Sequence, residues 1–206
     1  MRRAGGLSRA TSLCIVATAL FLVSCAAYGS APTASQSGAS DAPLPCASVK
    51  VSRLGSEDAP DFAGYGYPRV AATHPYVPGQ QSTVTVPNIV LTLPADMYTE
   101  PLEFELLVSD LDAWQACVPS NQVALAPYAF RVKEANGGKP VGRFDKPAIA
   151  AITDPRISAS AKYWITTSTD PVTAEASASG VTVEGTTLKV PNGSARRGWF
   201  VTAPKA

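Results

Sequence analysis

The stretch LEFEL, Leu102 to Leu106, decides how the rest of the chain is read. Leu102, Phe104 and Leu106 occupy every second position, and Glu103 and Glu105 stand between them. In an extended strand successive side chains point to opposite faces, so this run has one apolar face and one charged face. That pattern belongs to a sheet that is half buried and half wet, as antiparallel sheets commonly are.

The same period continues on both sides. STVTV (Ser82–Val86) places Val84 and Val86 on one face, and IVLTL (Ile89–Leu93) places Ile89, Leu91 and Leu93 together. YAFRVK (Tyr128–Lys133) sets Tyr128, Phe130 and Val132 against Arg131 and Lys133. Further strand-like runs are AKYWITT (Ala161–Thr167), VTV (Val181–Val183), TTLKV (Thr186–Val190) and GWFVT (Gly198–Thr202). Turn chemistry separates them: ANGGK (Ala135–Lys139), Glu184-Gly185 and Asn192-Gly193 supply residues that tolerate positive φ. Prolines fall between strands or near their ends. One helix is expected, over SDLDAWQAC (Ser109–Cys117), with Ser109 as cap and Asp110 and Asp112 in the first turn. Many short strands with one short helix predict an all-β fold, an antiparallel β-sandwich.

One segment carries a family resemblance. TVTVPNIVLTLPADMYTEPLEFELL runs strand, turn, strand, polar loop, strand, with Leu93-Pro94-Ala95 followed by Thr99–Leu106. It resembles the β-sandwich domain shared by zonula occludens proteins, netrin receptors and ankyrins, and its bacterial relatives. VGRFDKPAIAAI (Val141–Ile152) is similar to the aromatic-x-x-Pro strand opening of those relatives. The resemblance implies a sandwich and a protein-interaction or scaffold role, and carries over no catalytic residue.

The N-terminus reads differently. Arg2, Arg3 and Arg9 precede an almost wholly apolar run, Ala10–Val23, with no acid. The run is shorter than the roughly 20 residues that span a bilayer, and the arrangement is that of a secretory signal peptide. Leu22-Val23-Ser24-Cys25 resembles the lipobox of bacterial lipoproteins. The resemblance implies cleavage between Ser24 and Cys25 and a diacylglyceryl group on the Cys25 sulfur. The alternative is an ordinary signal peptide in which Cys25 is incidental. Two or more acyl chains anchor stably where one does not.

The expected organisation is then a signal peptide (1–24), an acylated N-terminus and flexible tether (25–45), and one β-sandwich domain (46–206). The tether, rich in Ala, Ser, Pro and Gly, has too little apolar surface to offset its ordering entropy. The expected location is outside the cytoplasm, held to the cell membrane by lipidated Cys25, with an unidentified envelope protein or glycan as partner. The whole chain carries a formal charge of +1. Removing residues 1–24 takes away three arginines, leaving 14 Lys+Arg against 16 Asp+Glu, a net charge of −2. That balance lacks the basic field of a nucleic-acid binder.

Cys46 and Cys117 are the two cysteines left for the folded part. In an exported protein such a pair is expected as a disulfide. Closing a loop of about 70 residues, it would stabilise the fold by about 4 kcal/mol. Two buried thiols are the other reading.

Chemistry is sparse. His74 is the single histidine, read as a loop residue, and no G-x-S-x-G, H-E-x-x-H or phosphate-binding glycine loop occurs. No catalytic residue, metal site or cofactor is assigned. Calcium in a loop near Asp110 and Asp112, and a pair of glycosidase carboxylates, are weaker readings. An envelope enzyme acting on glycans and a small-ligand-binding lipoprotein are the functional alternatives. The segment Asp61–Gln81 reads as a long loop bearing Phe62, Tyr65, Tyr67 and Tyr76. Such a loop is either a rigid aromatic binding surface or a lid folded back on the sandwich.

Overall fold

The structure, a computed structural model, describes residues 42–46, 48, 49, 62, 66–166 and 172–205. The signal segment, Ser24, Cys25 and the tether as far as Asp41 lie outside the described residues. Twelve strands and one short helix follow one another along the described chain. They are β1 (Leu44–Pro45), β2 (Arg69–Tyr76), β3 (Ser82–Val86), β4 (Ile89–Leu93), β5 (Leu102–Val108), α1 (Leu111–Gln115) and β6 (Gln122–Glu134). After them come β7 (Arg143–Thr153), β8 (Lys162–Thr166), β9 (Thr173–Ser177), β10 (Thr182–Glu184), β11 (Thr187–Ser194) and β12 (Gly198–Pro204).

The strands form two antiparallel sheets. One has seven strands in the order β1-β9-β8-β12-β6-β5-β2, and the other five, β10-β11-β7-β4-β3. The alternation in LEFEL is the reason for the interface between them. Leu102, Phe104 and Leu106 are buried, and they meet Leu91 and Leu93 of β4 and Ile152 of β7 in one core. On the opposite face of β5, Glu103 and Glu105 pair across the strand with Lys133 and Arg131 of β6. These exposed pairs each contribute at most about 1 kcal/mol, so apolar burial governs the register.

Three sequence expectations are corrected. Arg69–Tyr76, read as part of a loop, is an edge strand paired with β5. Its inward positions are Ala72, His74 and Tyr76, opposite Leu106, Phe104 and Leu102. Small and polar inward residues hide the strand's period, and Pro75 is tolerated because an edge strand leaves one side unpaired. The helix is shorter than Ser109–Cys117. Its N-cap is Asp110, with no side-chain cap, and the Ser109 hydroxyl donates to the Asp110 carbonyl instead. Finally, the tether ends before Pro45: Leu44 and Pro45 form β1, opposite Ala174 and Thr173.

A ring of hydrogen bonds crosses the core. Tyr128 of β6 donates to Asn192 Oδ1 at 2.9 Å. The Asn192 amide donates to the Tyr163 oxygen at 2.6 Å, and the two tyrosine hydroxyls lie 2.9 Å apart. If the Tyr163 hydroxyl donates to Tyr128, every member is satisfied in turn. The ring joins β6 and β8 of one sheet to β11 of the other. Burial raises both phenol pKa values, so the ring stays neutral.

Two predictions follow from this packing. The Tyr67 ring lies directly on the backbone of Gly198, where an added Cβ would overlap it. Gly198→Ala should lower the unfolding free energy by about 1–3 kcal/mol in urea melts. Gly193→Ala, with open space around it, should change it by about 0.5 kcal/mol or less. The second concerns Asp154, which takes two guanidinium hydrogen bonds from Arg156, both at 2.8 Å. These hold its carboxyl below the usual carboxylate range. A depressed folded pKa stabilises the fold above the unfolded value of about 3.9 and loses that effect as pH falls through the folded value. The stability gap between wild type and Asp154→Asn should therefore narrow between pH 5 and pH 2. A gap independent of pH would count against the pair.

Candidate functional site

The aromatic segment singled out in the sequence is mostly interior. Phe62 and Tyr67 are buried in a second apolar layer, on the face of the seven-stranded sheet turned away from the five-stranded one. That face presents Leu107, Ala129, Trp164, Ala174 and Phe200, which the smaller sheet does not reach. Phe62 packs edge-on against Tyr67, Tyr67 lies 5.1 Å from Trp114 of α1, and Trp114 lies 5.1 Å from Phe200. These two rings are folded back on the sheet and are not exposed. Tyr76 is also buried, but in the core between the sheets. Its hydroxyl lies 2.8 Å from the Ala95 carbonyl and accepts from the Tyr98 N–H at 3.2 Å, which fastens the loop after β4. Tyr65 lies outside the described residues.

The same layer contains the cysteine pair. Cys46 follows β1 and Cys117 follows α1, and both are buried. The structure holds them as separate thiols in contact. The interaction between the two sulfurs, with burial, raises the Cys46 pKa, and the same interaction lowers that of Cys117. The Ser48 hydroxyl stands 3.7 Å from the Cys117 sulfur and donates to the Ala113 carbonyl. Ser48 is thereby seated on α1.

His74 is on β2 rather than in a loop, with a buried Nε2 that has no hydrogen-bond partner. Among the described residues, no three or more His, Cys, Asp or Glu side chains gather as a metal site. No described helix is long and apolar enough to cross a membrane.

Sequence reasoning missed a cavity of about 460 Å³ at one end of the sandwich. Its walls come from the start of β2, the β3–β4 hairpin, the end of β5 and the middle of β6. Three backbone irregularities surround it. Ala71 is an extra residue in β2, since Val70 pairs with Leu107 and Ala72 with Leu106. Asn88, second in the two-residue hairpin turn after Pro87, has φ +65°. Ala126 has φ +46° and sits in a bulge of β6 opposite β12. A left-handed alanine is strained, and bulges and strain concentrate where a fold holds a functional opening. The signal in the sequence was weak: Ala126-Pro127 interrupts a strand of alternating residues, and Pro87-Asn88 looks like any turn.

No protein-family model, no curated protein and no solved structure matches the chain.

Truncating a ring in the second layer tests its placement. Tyr67→Ala should lower the unfolding free energy by about 3–5 kcal/mol in urea melts, as for other buried aromatic side chains. An exposed binding ring would leave stability nearly unchanged.

Proposed function

We propose that this chain is a membrane-anchored, extracytoplasmic lipoprotein whose β-sandwich is a non-catalytic binding module of the cell envelope. The observation that carries the reading is Leu22-Val23-Ser24-Cys25 at the end of a basic-then-apolar leader. The likeness of Thr83–Leu107 to a scaffold-type sandwich domain supports a binding role over a catalytic one. A single acylated sulfur carrying two chains, with further acylation of the new amino terminus, would hold the domain stably at the bilayer.

Cys46 and Cys117 are joined as a disulfide in the exported protein. Their contact in the second layer supports this, and the bond fastens the point where the tether enters the fold. Two thiols lose two protons and two electrons, and an incoming disulfide is reduced to two thiols in exchange.

Both statements are checked on the protein isolated from its own membranes. Intact mass should exceed that of residues 25–206 by the acyl groups, and Cys25→Ala should move the protein from the membrane pellet to the soluble fraction. Under denaturing conditions, N-ethylmaleimide should add to no cysteine before reduction and to two afterwards. An unmodified mass, or unchanged pelleting of Cys25→Ala, overturns the anchor. Two additions before reduction overturn the disulfide.

A further inference from the structure

We infer that the cavity bounded by Ala71, Asn88 and Ala126 is a binding site for a free α-amino acid with an apolar side chain. This deepens the reading of the domain as a binding module and is independent of the anchor. The cavity size lies in the range used for small molecules, roughly 300–1,000 Å³. Its walls combine the aliphatic side chains of Val70, Val86, Ile89, Val108 and Leu111 with polar groups that include Arg69, Asn88 and Ser109. Val70 and Leu111 are 44% and 45% exposed, among the most exposed large apolar residues described, and both face this opening.

The polar groups stand at one side of the mouth. Arg69 lines the cavity and also a shallower depression beside it, shared with Ser109 and Leu111. Asp110 and Asp112 line that depression too. The Arg69 guanidinium has no ion-pair partner among the described residues, and neither carboxylate is engaged by one. Asp110 is the N-cap of α1, yet its side chain makes no capping bond. One cation beside two anions, next to the aliphatic part of the cavity, complements a zwitterion with an apolar tail. A guanidinium grips a carboxylate through two parallel hydrogen bonds, and the two aspartates receive the ammonium group. The aliphatic side chain then enters the cavity and leaves water.

The bulges give the opening its shape. Ala71 and Ala126 are extra residues in β2 and β6, and each turns its strand away from the regular ladder. The cavity therefore forms where the two sheets part, between β2 and the β3–β4 hairpin.

The test is calorimetric titration of L-leucine into the protein as the cell processes it, held in phosphatidylcholine nanodiscs, with empty nanodiscs as the blank. N-acetyl-L-leucine and 3-methylbutylamine, each retaining one of the two charges, are titrated alongside. Leucine is expected to bind at least tenfold more tightly than either. Arg69→Gln and the double variant Asp110→Asn/Asp112→Asn should each weaken leucine binding about tenfold or more. Their melting temperatures should match wild type, because all three side chains are exposed. No binding of leucine overturns the inference. Equal binding of N-acetyl-leucine overturns the zwitterion and assigns the cavity to anionic amphiphiles, and leucine binding unchanged in Arg69→Gln overturns the site. A protein that binds leucine but carries no lipid would sink the anchor and leave this inference standing, and the reverse result would do the opposite.

Discussion

The seven-stranded sheet has apolar residues on both faces, and a five-stranded sheet can cover only one of them. Leu106, Phe130 and Trp199 point into the space between the sheets, while Leu107, Ala129 and Phe200, their neighbours along the same strands, point outward. Exposing that outer face would leave a broad apolar patch in water, which monomeric proteins avoid. The chain covers it with Cys46, Val49, Phe62 and Tyr67 from the N-terminal side and with Trp114 and Cys117 from the α1 connection. Much else in the molecule follows from this one requirement. It is why Tyr67 lies on Gly198, why Trp114 is buried in so short a helix, and why two cysteines far apart in sequence come into contact.

The demand also explains how load from the N-terminus would enter the fold. β1 has only two residues, paired with β9, and could not by itself resist much pulling. The Cys46 N–H donates to the Val172 carbonyl at 2.8 Å, and the Ser48 hydroxyl donates to the Ala113 carbonyl. The aromatic run from Phe62 through Tyr67 and Trp114 to Phe200 then spreads the attachment over β12, a central strand.

Two neighbouring places in the sandwich are built differently. At Tyr128, Tyr163 and Asn192 the sheets are joined by a ring of hydrogen bonds, where a missing partner would leave a buried hydroxyl unpaired at about 1–3 kcal/mol. Around Ala71, Asn88 and Ala126 the ladders are interrupted instead, and the sheets part. Regular pairing and tight packing stabilise the body, and the irregular positions leave room for a ligand.

Period-two alternation made most strands legible. The runs at Ser82–Val86, Ile89–Leu93 and Leu102–Leu106 lie in strands with the expected faces, because large apolar residues alternate there without interruption. β2 and β9 were not legible: their inward residues are alanine, histidine and a single tyrosine, which carry little hydrophobic signal. The Leu22–Cys25 pattern is likewise a property of the sequence alone, since those residues lie outside the described structure. What the sequence by itself determined was therefore the strands with strong alternation and the turns at Ala135–Lys139 and Glu184-Gly185, because these depend on neighbours one to four residues away. Asn192-Gly193, read as a turn, instead lies inside β11, where pairing with β7 overrides the local signal. Only the tertiary structure decided that Phe62 and Tyr67 cover a sheet rather than face a partner, that Cys46 meets Cys117, and that Ala71, Asn88 and Ala126 border one cavity. Those outcomes depend on which face of which sheet remains uncovered, and strand order sets that.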